Sequence, residues 1–124
     1  MYTQSMKVKI LPEDKKFSDF IRSRDDWTCQ RCYTVYEPPT SALHCSHFWS
    51  RRHWATRFDE DNCVALCFGC HRLWESDKHG EYRDFMLEML GEEDYAALEE
   101  RAKSTVKKRE ALEYAKDFLS NVKI

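Results

Sequence analysis

Four cysteines in two Cys-x-x-Cys pairs are the residues of this sequence whose types and spacing point most directly to chemistry. The pairs are Cys29 with Cys32 and Cys67 with Cys70. A gap of two residues lets both sulfurs of a pair bind one ion, and two pairs complete the tetrahedral coordination of a structural zinc site. A redox pair or disulfides are the alternative interpretation. The spacing predicts structural Zn²⁺ bound by all four cysteines.

The two remaining cysteines do not belong to a pair. Cys45 and Cys63 lie in short segments whose composition is typical of strands. A free cysteine in such a place behaves as a small apolar side chain. We therefore expect both to be buried rather than to bind the zinc.

A second set of polar residues lies between and directly after the cysteine pairs. His47 precedes Phe48, Asn62 precedes Cys63, and His71 follows the last paired cysteine. A zinc ion that holds the two cysteine turns together would place these three chain segments side by side. We predict that His47, Asn62 and His71 border one cleft, where they can share a metal and activate water. A histidine with a pKa near its usual ~6.5 can be a neutral base at pH 7.

The charge of the chain is unevenly distributed. The formal net charge is −2, which argues against simple polybasic binding. Residues 42–58, however, contain three arginines, three histidines and no acid. Such a local cationic segment suits a phosphate backbone, and its candidate DNA-binding residues are Arg51, Arg52, His53 and Arg57. The alternatives are a solvated loop, or pairing of the arginines with Asp59, Glu60 or Asp61.

Hydrophobic periodicity predicts the elements that must position these side chains, and they give an α+β fold. Apolar residues at helical spacing predict a short helix over 13–24, and short strands are expected around the first cysteine turn, over 43–49 and over 63–66. A helix should begin near His71. Three further helices follow, with Gly91 as one C-terminal stop and Ser104-Thr105 as the proposed break before the last. Because no glycine or proline stands at that break, a single long helix is the alternative.

Length and hydropathy set the broad class. The chain has 124 residues, which suits one domain, and no segment approaches the roughly 18 apolar residues of a membrane span. The N-terminus lacks the apolar core of a signal peptide. We therefore expect a cytoplasmic protein that does not contact a membrane. Its predicted parts are an N-terminal segment and helix (1–28), a zinc-bound core (29–78) and a C-terminal helical extension (79–124).

The order His47, Asn62, His71 resembles the HNH endonucleases of the ββα-metal (treble-clef) class. In particular, the segment 62–71, Asn-Cys-Val-Ala-Leu-Cys-Phe-Gly-Cys-His, carries the second and third motif positions around a cysteine pair. The segment 46–62 is more similar still to the phage NinG-type recombination nucleases. The resemblance covers roughly residues 17–100.

This resemblance implies a zinc-stabilised ββα-metal HNH core with a short N-terminal helix and C-terminal helices. It implies that His47 is the general base and that Asn62 holds the loop of the base or touches the metal. It assigns His71 as a ligand of a catalytic divalent cation, Mg²⁺, Mn²⁺ or another. The expected activity is hydrolysis or nicking of phosphodiester bonds in duplex or branched DNA, by a bacterial or phage-encoded protein in phage recombination.

The sequence departs from the family pattern at two positions. Ser46 stands where many members have an acid that binds the metal, and NinG-type proteins usually have glycine there. At the third motif position NinG-type proteins often have asparagine rather than His71. Glu75 follows His71 by one helical turn and is our candidate for the missing ligand, with His44 or Asp61 as alternatives.

A second class of function also fits the sequence. The chain can be a non-catalytic, zinc-stabilised DNA- or protein-binding module, and Ser46 in place of an acid favours that interpretation. The intact order of His47, Asn62 and His71 favours the nuclease. Oligomeric state, DNA preference and the physiological cation are not determined by the sequence.

Overall fold

The computed structural model describes residues 8–122 and has an α+β architecture, as the sequence predicts. Its helices and strands in chain order are α1 (Pro12–Arg24), β1 (Leu43–His47), β2 (Cys63–Cys67), α2 (Phe68–Glu75), α3 (His79–Leu90), α4 (Glu92–Lys103) and α5 (Lys108–Ser120). A single 3-10 turn, Glu60–Asn62, leads into β2. Within the described range there are thus five helices and one two-stranded sheet, and none of these helices is long and apolar enough to cross a membrane.

The first helix forms where the periodicity predicts it. It begins at Pro12, whose fixed φ suits the first helical turn, and Glu13 and Asp14 follow in that turn, where negative charge stabilises the helix dipole. Phe17 and Ile21 are buried on one face. α1 therefore contributes an apolar face that packs on the sheet.

Strands β1 and β2 form an antiparallel pair in which His47 pairs with Cys63 and Ser46 with Val64. Side chains alternate along a strand. His44 and Ser46 therefore point to one face of the sheet and Cys45 and His47 to the other. Contacts identify the faces, since His44 meets α2 and Ser46 meets α3, whereas His47 lies against Phe17 of α1.

Each face of the sheet is covered by its own hydrophobic cluster. The cluster on the α2 and α3 side is built around Trp74, Tyr82, Met86, Leu98, Val64 and Leu66. The cluster on the α1 side combines Phe17, Ile21 and Phe58 with Ala111 and Ala115 of α5. Cys45 and Cys63 belong to this second cluster and are 7% and 0% exposed, which confirms the expectation that they are buried.

The boundaries of some elements differ from the predicted ones. Helix α2 begins at Phe68 rather than near His71, because Cys67 ends β2 and directly serves as the N-terminal cap of the helix. The strand predicted over 43–49 ends at His47. The strands expected around the first cysteine turn are reduced to one bridge between Thr28 and Val35.

The C-terminal helices break where the sequence predicts. Gly91 separates α3 from α4 with φ of 86°, a left-handed conformation that glycine adopts without steric cost. α4 ends at Lys103, and the Ser104 hydroxyl donates to the Arg101 carbonyl at 2.7 Å. The chain then begins α5 at Lys108. As predicted for α4, Leu98 and Ala102 are buried, while Tyr95 is only half-buried.

Candidate metal centres and the histidine site

The four paired cysteines converge on one point. The sulfurs of Cys29, Cys32, Cys67 and Cys70 all lie within 4.8 Å of one another. The Cys32 and Cys67 sulfurs are 3.9 Å apart, close to the ~3.8 Å edge of a tetrahedron with zinc–sulfur bonds of about 2.3 Å. This geometry is compatible with a structural zinc ion held by all four residues.

Local structure explains why the sulfurs meet. The Cys29 amide donates to the Thr34 carbonyl at 2.9 Å and closes the first cysteine turn. The Gln30 amide donates to the Ala65 carbonyl at 2.9 Å, which fixes that turn beside the middle of β2. Cys67 and Cys70 flank the start of α2, where the positive end of the helix dipole stabilises thiolates.

Arg31, a basic residue that the sequence analysis did not identify, lies beside the sulfur cluster. The Arg31 guanidinium donates to the Cys70 sulfur at 3.5 Å and to the Glu81 carboxylate at 3.0 Å. Its positive charge offsets part of the excess negative charge that four thiolates would leave on a divalent ion. Its position between the two cysteines of the first pair was the feature of the sequence that could have identified it.

Asn62 is a structural residue that holds the loop between the strands. Its side chain is completely buried and donates to the carbonyls of Trp49 at 2.8 Å and Thr56 at 3.1 Å. Its Oδ1 accepts from the Trp49 amide at 2.8 Å. Both the oxygen and the nitrogen of the side-chain amide are thus hydrogen-bonded within the loop. Of the two roles that the resemblance implies for Asn62, this arrangement fits the one that holds the loop.

His71 lies in a cluster with His44 and Glu75. The His71 Nδ1 is 2.9 Å from the His44 Nδ1, and its Nε2 is 3.0 Å from the Glu75 carboxylate. A separation of about 3.0 Å is also expected between neighbouring ligands of an octahedral ion with bonds of about 2.1 Å. The two contacts use different nitrogens of the His71 ring, however, so they are not two edges of one coordination sphere. Two of the replacement ligands that the sequence suggests are therefore adjacent to His71.

The ionisation of this cluster follows from its contacts. Burial, and then the neighbouring His71, lower the pKa of His44, which keeps that imidazole neutral and able to bind a cation. The hydrogen bond from His71 holds the pKa of Glu75 below its usual value, so the carboxylate is charged. In the described part of the chain, 8–122, the ligand atoms of these three residues do not all lie within 4.8 Å of one another. Side-chain rotation must therefore accompany binding of one ion.

The other proposed replacement, Asp61, lies elsewhere. Asp61 and Asp59 both bind the Arg101 guanidinium of α4, at 3.4 Å and 2.7 Å. Asp59 and Asp61 thus bind an arginine of α4, whereas the sequence suggested the arginines of the cationic segment as their partners.

Ser46 cannot substitute for an acidic ligand in this structure. It is fully buried, and its Oγ forms a 2.8 Å hydrogen bond with the Tyr82 hydroxyl of α3. Burial raises the pKa of Tyr82 above its usual range, so the phenol remains protonated. A carboxylate at this position would lose its hydration inside the cluster around Tyr82, which gives a physical reason for the departure from the family pattern.

His47 has one defined tautomer. Its Nε2–H donates to the Arg57 carbonyl at 2.9 Å, so its Nδ1 carries the free lone pair. Burial, and then the charge of Arg51, lower the pKa of His47 to about 4, which makes the imidazole neutral at pH 7. The residue as a whole is half-buried.

The structure corrects the prediction that His47, Asn62 and His71 border one cleft. His47 points to the α1 face of the sheet, His71 meets the opposite face, and Asn62 is enclosed in its loop. These three described side chains make no contact with one another. The positive charge of Arg51 contributes to lowering the pKa of His47 on one face and that of Glu75 on the other.

The four residues predicted to bind DNA have different environments. Arg52 is exposed, and the Arg51 side chain is 29% exposed with its Nε 3.7 Å from Asp14. The His53 Nδ1–H donates to the Ala102 carbonyl at 3.2 Å, and this residue is half-buried. Arg51 and Arg52 are thus the residues of this set that remain closest to solvent.

Arg57 is a correction to the predicted DNA-binding set, because it is 2% exposed. Its guanidinium donates to the Asp14 carboxylate at 2.6 Å and to the Lys9 carbonyl at 2.8 Å, and it stacks over Trp54 at 4.4 Å. The Arg57 charge is therefore neutralised inside the protein by an ion pair that connects the loop after β1 to α1. Asp14 lies at helical spacing from the buried Phe17, and this was a sequence signal for a buried acid.

We expect Asp14→Asn to lower the free energy of unfolding by about 3–5 kcal/mol, because it leaves the Arg57 charge buried without a partner. Urea denaturation at pH 7 measures the loss. Asp19→Asn is the matched control, since Asp19 is 48% exposed beside Arg22 and such surface pairs contribute about 0–1 kcal/mol. Equal losses in both variants would contradict a buried pair.

The same pair predicts a pH dependence. Burial raises the pKa of Asp14, but the hydrogen bond and charge of Arg57 outweigh it and hold the pKa below its usual value. The stabilisation is therefore present above the unfolded pKa of about 3.9 and is lost as the pH falls through the lower folded value. Asp14→Asn should flatten the acid limb of the unfolding curve.

Comparison of the chain with known protein families, curated proteins and solved structures finds no match. The similarity to HNH endonucleases therefore rests on the motif residues themselves.

Proposed function

We propose that this protein is a divalent-cation-dependent DNA endonuclease of the HNH type, with a zinc-stabilised ββα-metal core. The observation that supports the proposal is that one strand, β1, carries two histidines with different partners. His44 of this strand contacts His71 and thereby joins Glu75 in a set of cation ligands. His47, three residues on, is a neutral base of defined tautomer.

In the proposed reaction, His47 accepts a proton at Nδ1 from the attacking water. The water oxygen forms a bond to phosphorus, and the bond from phosphorus to the 3′ oxygen breaks. The products are a 5′ phosphate and a 3′ hydroxyl, whose proton comes from solvent. The Arg57 carbonyl keeps the ring oriented through the Nε2–H hydrogen bond.

His44, His71 and Glu75 would hold the divalent cation. A bound cation would offset the charge that develops on the phosphate and on the leaving oxygen. Two imidazoles with one carboxylate suit a transition metal such as Mn²⁺ better than Mg²⁺, which prefers oxygen ligands. The four-cysteine site has no open position for this chemistry, and its proposed zinc ion is structural.

Arg51 and Arg52 are the proposed contacts to the DNA backbone. Both remain at the surface next to the end of β1, and the charge of Arg51 reaches His47 and Glu75. Arginine contacts to phosphate position the nucleic acid but do not read its sequence. We therefore propose duplex or branched DNA as substrate, with low sequence specificity.

One observation favours the second candidate function, a zinc-stabilised DNA- or protein-binding module without catalysis. His47 and His71 project from opposite faces of the sheet and make no direct contact. A hydrolytic site needs the cation and the base on the same phosphate. The two candidates therefore differ in whether bound DNA is cleaved.

Incubation with supercoiled plasmid tests this difference. We expect open circles with Mn²⁺ or Mg²⁺, none with EDTA, and none from the His44→Ala/His71→Ala double variant. A gel-shift assay on the same samples should show that the double variant still binds DNA. Plasmid that stays supercoiled with every cation, while binding persists, would support the binding module instead.

Glu75→Gln should raise the Mn²⁺ concentration needed for half-maximal nicking by roughly tenfold or more, because outer partners of a metal site alone contribute about 10–100-fold. The measurement is a Mn²⁺ titration of the nicking rate. Asp77→Asn is the control, because Asp77 is an exposed acid just beyond α2. An unchanged Mn²⁺ requirement in Glu75→Gln would remove Glu75 from the ligand set.

A further inference from the structure

Cys45, Cys63 and His47 form a second cluster of metal-ligand atoms, separate from the four paired cysteines. Their ligand atoms all lie within 4.8 Å of one another. All three side chains point to the α1 face of the sheet, where His47 pairs directly with Cys63, and Cys45 lies two residues along β1. The cluster is thus produced by strand pairing and side-chain alternation.

The strand register argues against a disulfide between these cysteines. Cys45 pairs with Ala65, so Cys45 and Cys63 are diagonal neighbours. Diagonal residues in an antiparallel pair are separated by about 7–8 Å, whereas a disulfide requires Cα atoms closer than about 7 Å. Both cysteines are free in the structure, so their sulfurs are available as thiols.

Burial, and then the neighbouring Cys45, raise the pKa of the Cys63 thiol, so this thiol is protonated until a cation displaces its proton. Cys63 is fully buried and Cys45 nearly so, and His47 is half-buried. The Arg24 guanidinium donates to the Cys63 carbonyl at 2.6 Å, and its charge interacts favourably with both cysteines. A fixed positive charge next to buried thiolates reduces the cost of forming them.

We propose that Cys45, Cys63 and His47 form a second, thiophilic cation site that takes Zn²⁺, and that its occupation inhibits the nuclease by binding the base. Each thiol releases a proton to solvent as its sulfur–zinc bond forms, and the neutral imidazole donates its lone pair. Zinc on Nδ1 leaves the Nε2–H bond to the Arg57 carbonyl in place, an arrangement common for metal-bound histidines.

Two sulfurs and one nitrogen leave the fourth tetrahedral position for water. Ligand atoms around tetrahedral zinc are about 3.3–3.8 Å apart, so side-chain shifts of roughly 1 Å close the site from its present spacing. The inhibitory consequence rests on the proposed function, because it requires His47 to be the base. The binding site itself does not.

Titration of the full-length, metal-free chain with Cd²⁺ tests the site through the ultraviolet absorbance of cadmium–thiolate bonds. We expect two steps, the first from the four paired cysteines and the second with about half its amplitude, since two thiolates replace four. The Cys45→Val/Cys63→Val variant should lose the second step only. A cation on His44, His71 and Glu75 adds no thiolate absorbance and does not confuse the result.

A single step in the wild type, or a second step in the valine variant, would overturn the proposal. His47→Gln provides an independent variant that keeps both thiols, and it should move the second step to a Cd²⁺ concentration at least roughly tenfold higher. An unmoved step would show that His47 is not a ligand.

The regulatory part has its own measurement. Added Zn²⁺ should slow Mn²⁺-dependent nicking by the wild type and should not slow it in Cys45→Val/Cys63→Val. If neither protein nicks DNA, the proposed nuclease function fails, while the Cd²⁺ titration still decides whether the cation site exists. If Zn²⁺ inhibits both proteins equally, inhibition does not act through these cysteines.

Discussion

Replacing His47 with alanine is expected to reduce plasmid nicking by about 10²–10⁴-fold, the usual contribution of a positioned general base. The neutral imidazole, its Nε2–H held by the Arg57 carbonyl at 2.9 Å, has one free lone pair for the proton of water. Alanine removes that lone pair and leaves the cation ligands in place. The measurement is the initial rate of conversion of supercoiled plasmid to open circle in Mn²⁺.

His47→Gln separates the two functions of the side chain. Its amide nitrogen overlays the histidine Nε2 and can still donate to the Arg57 carbonyl, but the amide cannot accept a proton at neutral pH. We expect His47→Gln to be as inactive as His47→Ala while it retains wild-type stability. His79→Gln is the histidine control, because His79 stacks on Phe48 outside the proposed site. Undiminished nicking by both His47 variants would exclude His47 as the base.

Cys67→Ser is expected to have the largest effect on stability. Zinc bound by structural cysteines can contribute on the order of 10 kcal/mol to folding, which is comparable to the whole stability of a small domain, about 5–15 kcal/mol. Cys67 joins β2 to α2, so loss of the ion should release both elements. We expect the variant to lose its near-ultraviolet circular dichroism.

Elemental analysis completes this experiment. After dialysis against a weak chelator, which empties the open three-ligand site of Cys45, Cys63 and His47, the wild type should retain one zinc ion per chain, and Cys67→Ser should retain none. Cys45→Ser is the matched control, because Cys45 is a buried cysteine outside the four-sulfur group. It should keep its zinc and lose only about 1–3 kcal/mol for a buried polar group. A Cys67→Ser chain that stays folded without metal would contradict the structural role.

The elements of the fold were predictable wherever the determining signal is local. The apolar spacing of Phe17 and Ile21 predicts α1, and Gly91 predicts the end of α3, because helix periodicity and a left-handed turn depend on neighbouring residues. The start of α2 was misplaced because Cys67 caps the helix without a typical capping side chain. Its extended backbone is a property of the strand that precedes it.

The environment of the charged residues depended on distant partners. Arg57 is in a cationic segment that suggests solvent, yet it is buried because Asp14 arrives from α1, forty-three residues away in the chain. Asp61 is close to the same segment but binds Arg101 of α4. No local pattern specifies such pairs, since each requires two elements to be packed before the charges meet.

The same distinction between local and distant determinants applies to the residues of the candidate sites. Residue types and spacing by themselves determined the four-cysteine group, the proximity of Glu75 to His71 and the buried state of Cys45 and Cys63, because short spacings fix which side chains share a turn or a strand. Tertiary structure alone decided that His44 contacts His71, that Ser46 is bonded to Tyr82 and that His47 faces α1. The physical reason is that alternation along β1 sets only which residues share a face, whereas packing determines which helix covers it.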